Sequence, residues 1–279
     1  MAEQILINGK RTTTVSFTDR GLNYGDGVFE TIAVFENQPL CWEEHITRLK
    51  LGCERLKIPF SDLEQLKEEA DSLIEADKQK QILKLVITRG EGGRGYALPE
   101  KCNPTRILSI HPWPDYPDTH YQKGINTRIC NTRYSLNPLL AGIKHLNRLE
   151  QVLARAEWND PDIQEGIVRD KEGNVIEGTM SNLFYVYGTQ LFTPLLESSG
   201  IEGIIRQKII EQASSMNLKV NVNKIKLDDL LSADEVFLCN SVIGVWPIRK
   251  IDEHEFTVGK ITKQINETLI KHNCISPVC

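Results

Sequence analysis

The sequence predicts an α+β protein in two domains. Strand-type and helix-type patterns are mixed along it without a strict βαβ rhythm, which disfavours a doubly wound parallel sheet. A proline-interrupted polar stretch breaks the pattern near the middle. The length, 279 residues, suits about two domains. The break divides the chain into a small N-terminal α/β domain over 1–113, a linker over 114–123, and a larger C-terminal domain over 124–279.

The elements follow in order. Ile5-Leu6-Ile7 reads as a strand and Asn8-Gly9 as a hairpin turn. Val28 to Phe35 is rich in β-branched and aromatic residues, and Asn37-Gln38-Pro39 ends it. Ile46, Leu49, Cys53 and Leu56 share a helical spacing within 43–56. A second helix is expected over 61–76, with Ser61 to Glu64 as a capping box. Strands at 82–88 and 105–111 flank a glycine-rich loop, Gly90 to Tyr96. Pro112, Pro114 and Pro117 stop regular structure. A strand near 125–130 precedes a helix expected from His145 to Trp158, with Leu146, Leu149, Leu153 and Ala156 on one face. Strands at 165–170, 175–177, 183–186, 220–222 and 236–239, and helices at 203–215 and 258–272, complete the C-terminal half.

Composition narrows the function. The formal net charge is −5, and no basic run stands out, which argues against nucleic acid as a partner. No apolar stretch approaches the roughly 18 residues of a membrane span. The N-terminal residues lack the basic and apolar regions of a signal peptide, and the last four residues do not fit a prenylation box. The seven cysteines are scattered without a C-x-x-C pair, so they read as thiols in a reducing cytoplasm. The six histidines show no metal-ligand spacing, and no metal is expected.

One lysine carries the chemical argument. Lys144 follows the apolar stretch Pro138 to Gly142 and precedes the expected helix. An amine pointed inward loses hydration, which lowers its pKa and favours nucleophilic and Schiff-base chemistry. A solvated charge at a helix start is the ordinary alternative. Four features fit a phosphorylated cofactor beside it. Gly200 to Arg206 places glycines ahead of a helix, where backbone N–H groups attract phosphate, though an ordinary loop has the same look. Ser241 ends an apolar strand, where a turn or a phosphate contact is expected. Glu177 ends another, as a solvated edge or as the partner of a protonated pyridine nitrogen. Arg48 lies on a helix face, as a surface charge or a phosphate clamp.

Longer motifs give these pieces a context. GIKHLNRLEQVLAR (142–155), DRGLNYGDGVFET (19–31), HITRL (45–49), LKLVITRGEGGRGY (83–96), EGTMSNLF (177–184), GIIRQ (203–207) and FLCNS (237–241) closely resemble those of fold-type IV pyridoxal-phosphate enzymes, the class-IV aminotransferase family. The GRGY loop and GIKHLNR resemble its aminodeoxychorismate lyase branch most. Glu30 stands where many lyases carry a small polar residue, and D-amino-acid aminotransferases also carry glutamate there. Phe29 lacks the tyrosine hydroxyl of those transaminases, and Tyr96 replaces their histidine.

The resemblance implies a D-amino-acid aminotransferase-like fold, an active site between two domains, a homodimer and pyridoxal 5′-phosphate as cofactor. It implies Lys144 as the cofactor lysine and proton carrier, on the C-terminal domain. Glu177 would meet the pyridine nitrogen. Arg48, the backbone of Ile204 and Ile205, and Ser241 would hold the phosphate. Asn147 and Arg148 would lie near the phenolic oxygen. Thr31, Arg94 and Tyr96 would line the substrate pocket, with Glu30 and Arg106 on the substrate side. The implied reaction turns 4-amino-4-deoxychorismate into 4-aminobenzoate and pyruvate. The alternative is a D-amino-acid or branched-chain aminotransferase of the same fold.

Overall fold

The structure, a computed structural model, describes residues 4–277. The first three residues, the end of the prenylation-box reading and the Cys279 thiol lie outside the described residues. The chain divides into two compact units. The first holds the chain up to Pro114 together with Ile143–Asn147, and the second holds Asp115–Gly142 and the chain from Arg148 on.

The first unit is a six-stranded antiparallel sheet with helices on one face. Its elements are β1 (Ile5–Ile7), β2 (Lys10–Arg11), α1 (Arg20–Tyr24), β3 (Gly27–Phe35), β4 (Gln38–Pro39), α2 (Trp42–Arg55), α3 (Leu63–Leu73), β5 (Lys80–Thr88) and β6 (Thr105–Pro112). The strand order is β2-β1-β6-β5-β3-β4. The Asn8-Gly9 turn forms with Ile7 opposite Lys10, both turn residues having positive φ. Alternation along β3 sends Val28, Glu30, Ile32 and Val34 towards α2 and α3, where Ile46, Leu49, Leu66 and Leu73 complete the core. Each such side chain contributes roughly 1.5–3 kcal/mol when buried. The helix expected at Ser61 starts later: Asp62 is the N-cap, its carboxylate accepting the Gln65 N–H at 3.3 Å. Asp caps a helix as well as Ser does, so the start shifts by one residue.

The second unit is a mixed ten-stranded sheet. Its elements are α4 (Thr119–Gln122), β7 (Ile125–Tyr134), α5 (Leu149–Arg155), β8 (Glu165–Asp170), β9 (Asn174–Gly178), β10 (Asn182–Tyr187), β11 (Gln190–Pro194), α6 (Ile204–Gln212), β12 (Lys219–Asn223), β13 (Ile225–Lys226), α7 (Leu227–Leu231), β14 (Glu235–Asn240), β15 (Gly244–Ile251), β16 (His254–Glu255) and α8 (Lys260–Lys271). The order is β12-β11-β10-β14-β15-β7-β8-β9-β13, with β16 paired to β15. Only β11–β12, β15–β7 and β7–β8 are parallel among these pairs, so helices and strands combine as α+β rather than in βαβ rhythm. The stretch expected as a linker belongs to this unit. Its aromatic residues explain why: Tyr116, His120 and Tyr121 stand edge-on around Trp246, with ring centroids 4.8, 5.1 and 6.3 Å away.

The segment 143–147 departs most from expectation. It is not the first turn of a helix; α5 begins only at Leu149. Phe29 N–H donates to the Lys144 carbonyl at 2.9 Å, and Leu146 N–H donates to the Gly27 carbonyl at 2.9 Å. Backbone groups spent on β3 cannot also start a helix. Lys144 therefore groups with the N-terminal unit, not with the C-terminal residues on either side of it. The apolar stripe expected on this helix is also not core, since Leu149 is 76% and Leu153 62% exposed. Ala154 faces the core instead.

Candidate active site

In the first unit, β3 separates two environments by alternation. Phe29 and Thr31 point away from α2, and Lys144 joins their face. Its Nζ lies 4.4 Å from the Phe29 ring centroid. Lys84, paired with Thr31 on β5, places its Nζ 5.9 Å from the same ring. Lys84 was not among the sequence-derived candidates; only the register across two strands brings it here.

Glu30 occupies the opposite face and is 0% exposed. Its carboxylate accepts Arg48 Nε at 2.8 Å and Arg48 Nη2 at 2.5 Å, a bidentate pair. It also accepts His45 Nδ1–H at 2.6 Å. Burial raises a carboxyl's pKa, but the charges and hydrogen bonds of Arg48 and His45 outweigh it and hold Glu30 at about 2. Burial is the largest influence on His45 and pulls it down, towards the neutral form. An ionised carboxylate only accepts, so His45 carries a proton on Nδ1, facing Glu30. This corrects the substrate-side assignment of Glu30: both its oxygens are committed to α2, on the face away from Lys144. Its role is to fix Arg48.

Arg106 is corrected in the same way. It pairs in register with Ile87, on the helix face, and donates to Glu69 of α3 at 2.7 and 3.2 Å. Its guanidinium closes sheet to helix. Asn147 donates from Nδ2 to the Gly25 carbonyl at 3.0 Å. Arg94 and Tyr96 are exposed on the loop after β5, and the Tyr96 ring meets Tyr24 edge-on at 5.5 Å.

In the second unit, Glu177 is 4% exposed near the end of β9. Its Oε2 accepts the Ile201 N–H at 2.9 Å and Asn182 Nδ2 at 3.3 Å. Burial pulls Arg148 down and the nearby Glu177 carboxylate pushes it up, so the two share one electrostatic environment. Asn182 also donates to the Ile201 carbonyl at 2.8 Å, tying β10 to the loop before α6. That helix starts at Ile204 with Gly203 as N-cap and no side-chain cap. A Cβ on Gly203 would overlap Asn182 Oδ1, so backbone and amide approach as only glycine permits. The first-turn N–H groups of Ile204 and Ile205 carry the positive end of the helix dipole. Ser241 opens the turn after β14, which Asn240 Oδ1 builds by accepting from Val242 and Ile243 N–H at 2.8 and 2.9 Å.

Sequence reasoning missed the carboxylate that shapes this region. Glu165 is 1% exposed and accepts from Thr179 N–H, Met180 N–H, Ser181 Oγ and Thr179 Oγ1, holding the turn that follows Glu177. The signal was a charged residue opening an apolar strand. Arg206 is buried as well and donates to Thr193 Oγ1 and the Pro194 carbonyl. No group of three or more His, Cys, Asp or Glu among the described residues is arranged to hold a metal.

These donors fit pyridoxal phosphate. The first unit carries an amine of the kind that meets a carbonyl carbon; the second carries, by itself, a buried carboxylate suited to a pyridinium and a glycine-capped helix start with a turn serine suited to a phosphate. Comparison with known proteins agrees. The class-IV amino-transferase family model matches residues 27–251. An aminodeoxychorismate lyase of Vibrio harveyi is 38% identical over 94% of this chain and 98% of its own. A putative branched-chain-amino-acid aminotransferase of Methanocaldococcus jannaschii is 32% identical over 95% of this chain and 94% of its own. The crystal structure of 4-amino-4-deoxychorismate lyase from Pseudomonas aeruginosa superposes with a TM-score of 0.92 at 43% identity, covering 97% of this chain and 100% of that one. With a family match over residues 27–251 and a lyase relative 38% identical across 94% of its length, the chain belongs to the class-IV aminotransferase family, whose cofactor is pyridoxal 5′-phosphate.

Proposed function

We propose that the protein converts 4-amino-4-deoxychorismate into 4-aminobenzoate and pyruvate. The observation that carries this reading is the Lys144 amine over Phe29, on the face that Thr31 shares, in a chain so similar to two lyases. Phe29 offers the amine an apolar ring and no competing hydroxyl.

Bound through Lys144, pyridoxal phosphate supplies an electron sink for the pair left when a C–H bond beside nitrogen breaks. Lys144 would hold the group through its amine and would take the proton from the substrate ring carbon that bears nitrogen. Glu177 keeps the pyridine nitrogen protonated. Ile201 N–H and Asn182 Nδ2, both donating to Oε2, fix the orientation of its carboxylate. Arg48, aimed by Glu30, acts with the Ile204 and Ile205 N–H groups and Ser241 Oγ to hold the phosphate. Asn147 and Arg148 would lie towards the phenolic oxygen. Arg94 and Tyr96 bind the substrate. The Thr31 hydroxyl donates to the ether oxygen as the C–O bond to the enolpyruvyl group breaks. The ring becomes aromatic, and the departing enol takes up a proton to give pyruvate. Aromatisation drives the step, so the chain's task is placement.

We read the protein as a cytoplasmic homodimer acting on a small molecule. Exposed Leu139, Leu149, Val152 and Leu153 favour a covered surface, and light scattering of the holoprotein measures the oligomer. No helix of the described residues is long and apolar enough to cross a membrane.

The decisive experiment supplies 4-amino-4-deoxychorismate and follows 4-aminobenzoate by chromatography and pyruvate by a coupled assay. Parallel reactions supply D-alanine or L-leucine with 2-oxoglutarate. Turnover of the amino-acid pairs alone refutes the lyase reading in favour of an aminotransferase. Lys144→Ala should abolish the near-visible absorbance of bound cofactor, whatever the substrate.

A further inference from the structure

We propose that Arg20 is a positioning residue that presents Arg94 and Tyr96 to the substrate's carboxylate. The inference rests on the lyase reading for the substrate and on geometry for the device.

Arg20 is 4% exposed. Its Nε donates to Asp26 Oδ2 at 2.9 Å. Its remaining donors converge on the tip of the loop after β5. Nη1 reaches the Gly95 carbonyl at 3.0 Å and the Ala97 carbonyl at 3.4 Å, and Nη2 the Tyr96 carbonyl at 3.5 Å. Three consecutive carbonyls thus turn towards one buried cation. The Tyr24 ring lies 4.8 Å from the guanidinium carbon, and its hydroxyl accepts the Gly95 N–H at 3.2 Å. The base of the loop is tied down as well: Arg20 N–H donates to the Gly90 carbonyl at 2.9 Å and Gly92 N–H to the Thr18 carbonyl at 3.1 Å. A Cβ on Gly92 would stand 2.7 Å from Arg20 Cδ, so the chain passes the arginine as glycine allows.

The anchor is rigid. Asp26 also accepts Arg89 Nε at 2.7 Å and Nη2 at 2.9 Å, and Arg89 donates on to the Leu56 and Lys57 carbonyls at the end of α2. Burying a guanidinium is costly unless every donor is used. Here the donors are used on a loop whose own side chains pack little: Tyr96 is 86% exposed, and Gly93 and Gly95 have open space around them. With its carbonyls held inward, the loop shows a guanidinium and a phenol outward. Such a pair suits a carboxylate on a flat ring. Lysine cannot replace Arg20, because a single ammonium cannot fork between Asp26 and the loop carbonyls.

The test uses the full-length holoenzyme and Arg20→Lys and Arg20→Met variants. The Michaelis constant for 4-amino-4-deoxychorismate should rise at least about tenfold with kcat within about threefold, the pattern of lost uniform binding. Amide exchange over 93–98 should speed up by a similar factor, while β3, β5 and the cofactor absorbance stay unchanged. An unchanged Michaelis constant in both variants overturns the inference. So does loosening that spreads into β3 and β5, which marks a merely structural residue. A wild type inactive on this substrate defeats the lyase reading instead, and exchange alone then decides for Arg20: selective loosening of 93–98 supports it, none overturns it.

Discussion

Replacing Glu30 with glutamine tests the two-faced reading of β3. The change keeps the shape and removes the charge. The wild-type carboxylate is 0% exposed and held at about 2 against an ordinary 4.5. That interval corresponds to about 3 kcal/mol of stability at neutral pH. Because the folded pKa is depressed, the contribution is present above 4.5 and is lost as pH falls towards about 2. Glutamine also strips the Arg48 side chain, 11% exposed, of its bidentate carboxylate, and breaking one half of a buried pair costs roughly 3–5 kcal/mol. The two figures describe the same interaction and agree in size. Amide exchange at β3 and α2 reads the opening free energy of this unit directly. The variant should lose roughly 3 kcal/mol at neutral pH, and the gap should narrow at about pH 3, where the wild type is losing the same stabilisation. Cofactor affinity should fall with it, because Arg48 is no longer aimed. A deficit below about 1 kcal/mol at neutral pH, or one that widens in acid, refutes the argument.

The other expectations are more local. Arg106→Met should cost about 1–3 kcal/mol by leaving Glu69 without its partner, and should leave the Michaelis constant for the substrate unchanged in steady-state assays. Gly203→Ala should displace Asn182 and with it the Ile201 loop, weakening cofactor binding at least tenfold by absorbance titration while the fold survives by circular dichroism. Burial pushes the thiols of Cys53 and Cys130 up to about 12, so mapping by mass spectrometry should find them unalkylated in native protein at mildly alkaline pH and modified only after unfolding.

Much of this was legible in the sequence because local physics sets it. The hairpin at Asn8-Gly9, the apolar spacing of α2 and the β-branched run of β3 each name their own structure. Lys144, Glu177, Arg48 and Ser241 stand out only as candidates, because a lysine after an apolar stretch, a strand-end carboxylate, a helix-face arginine and a turn serine are chemically distinct. What stayed hidden was pairing. Nothing local tells a lysine before an apolar stripe that its carbonyl will accept from Phe29 across more than a hundred residues. The stripe itself misled, since Leu149 and Leu153 satisfy helical spacing yet remain exposed. Glu30 and Arg106 looked like substrate residues for the same reason: a charge in a strand declares its type, but only the opposing helix shows that His45, Arg48 or Glu69 has claimed it.

Register is therefore the specification that matters most in the N-terminal unit. Phe29 and Glu30 are neighbours with opposite duties, one beneath the Lys144 amine and one beneath α2. Strand geometry separates them by pointing successive side chains to opposite faces. Nine consecutive pairs, from Gly27 opposite Thr88 to Phe35 opposite Lys80, hold β3 in that phase against β5. A slip by one residue would bring the Glu30 carboxylate to the amine and leave α2 facing Phe29. It would pair the Lys144 amine with an anion and remove the counter-charge from Arg48 in one step. The long antiparallel pairing thus protects the chemistry as well as the core. The segment carrying Lys144 reads the same register, because its hydrogen bonds go to Gly27 and Phe29 themselves.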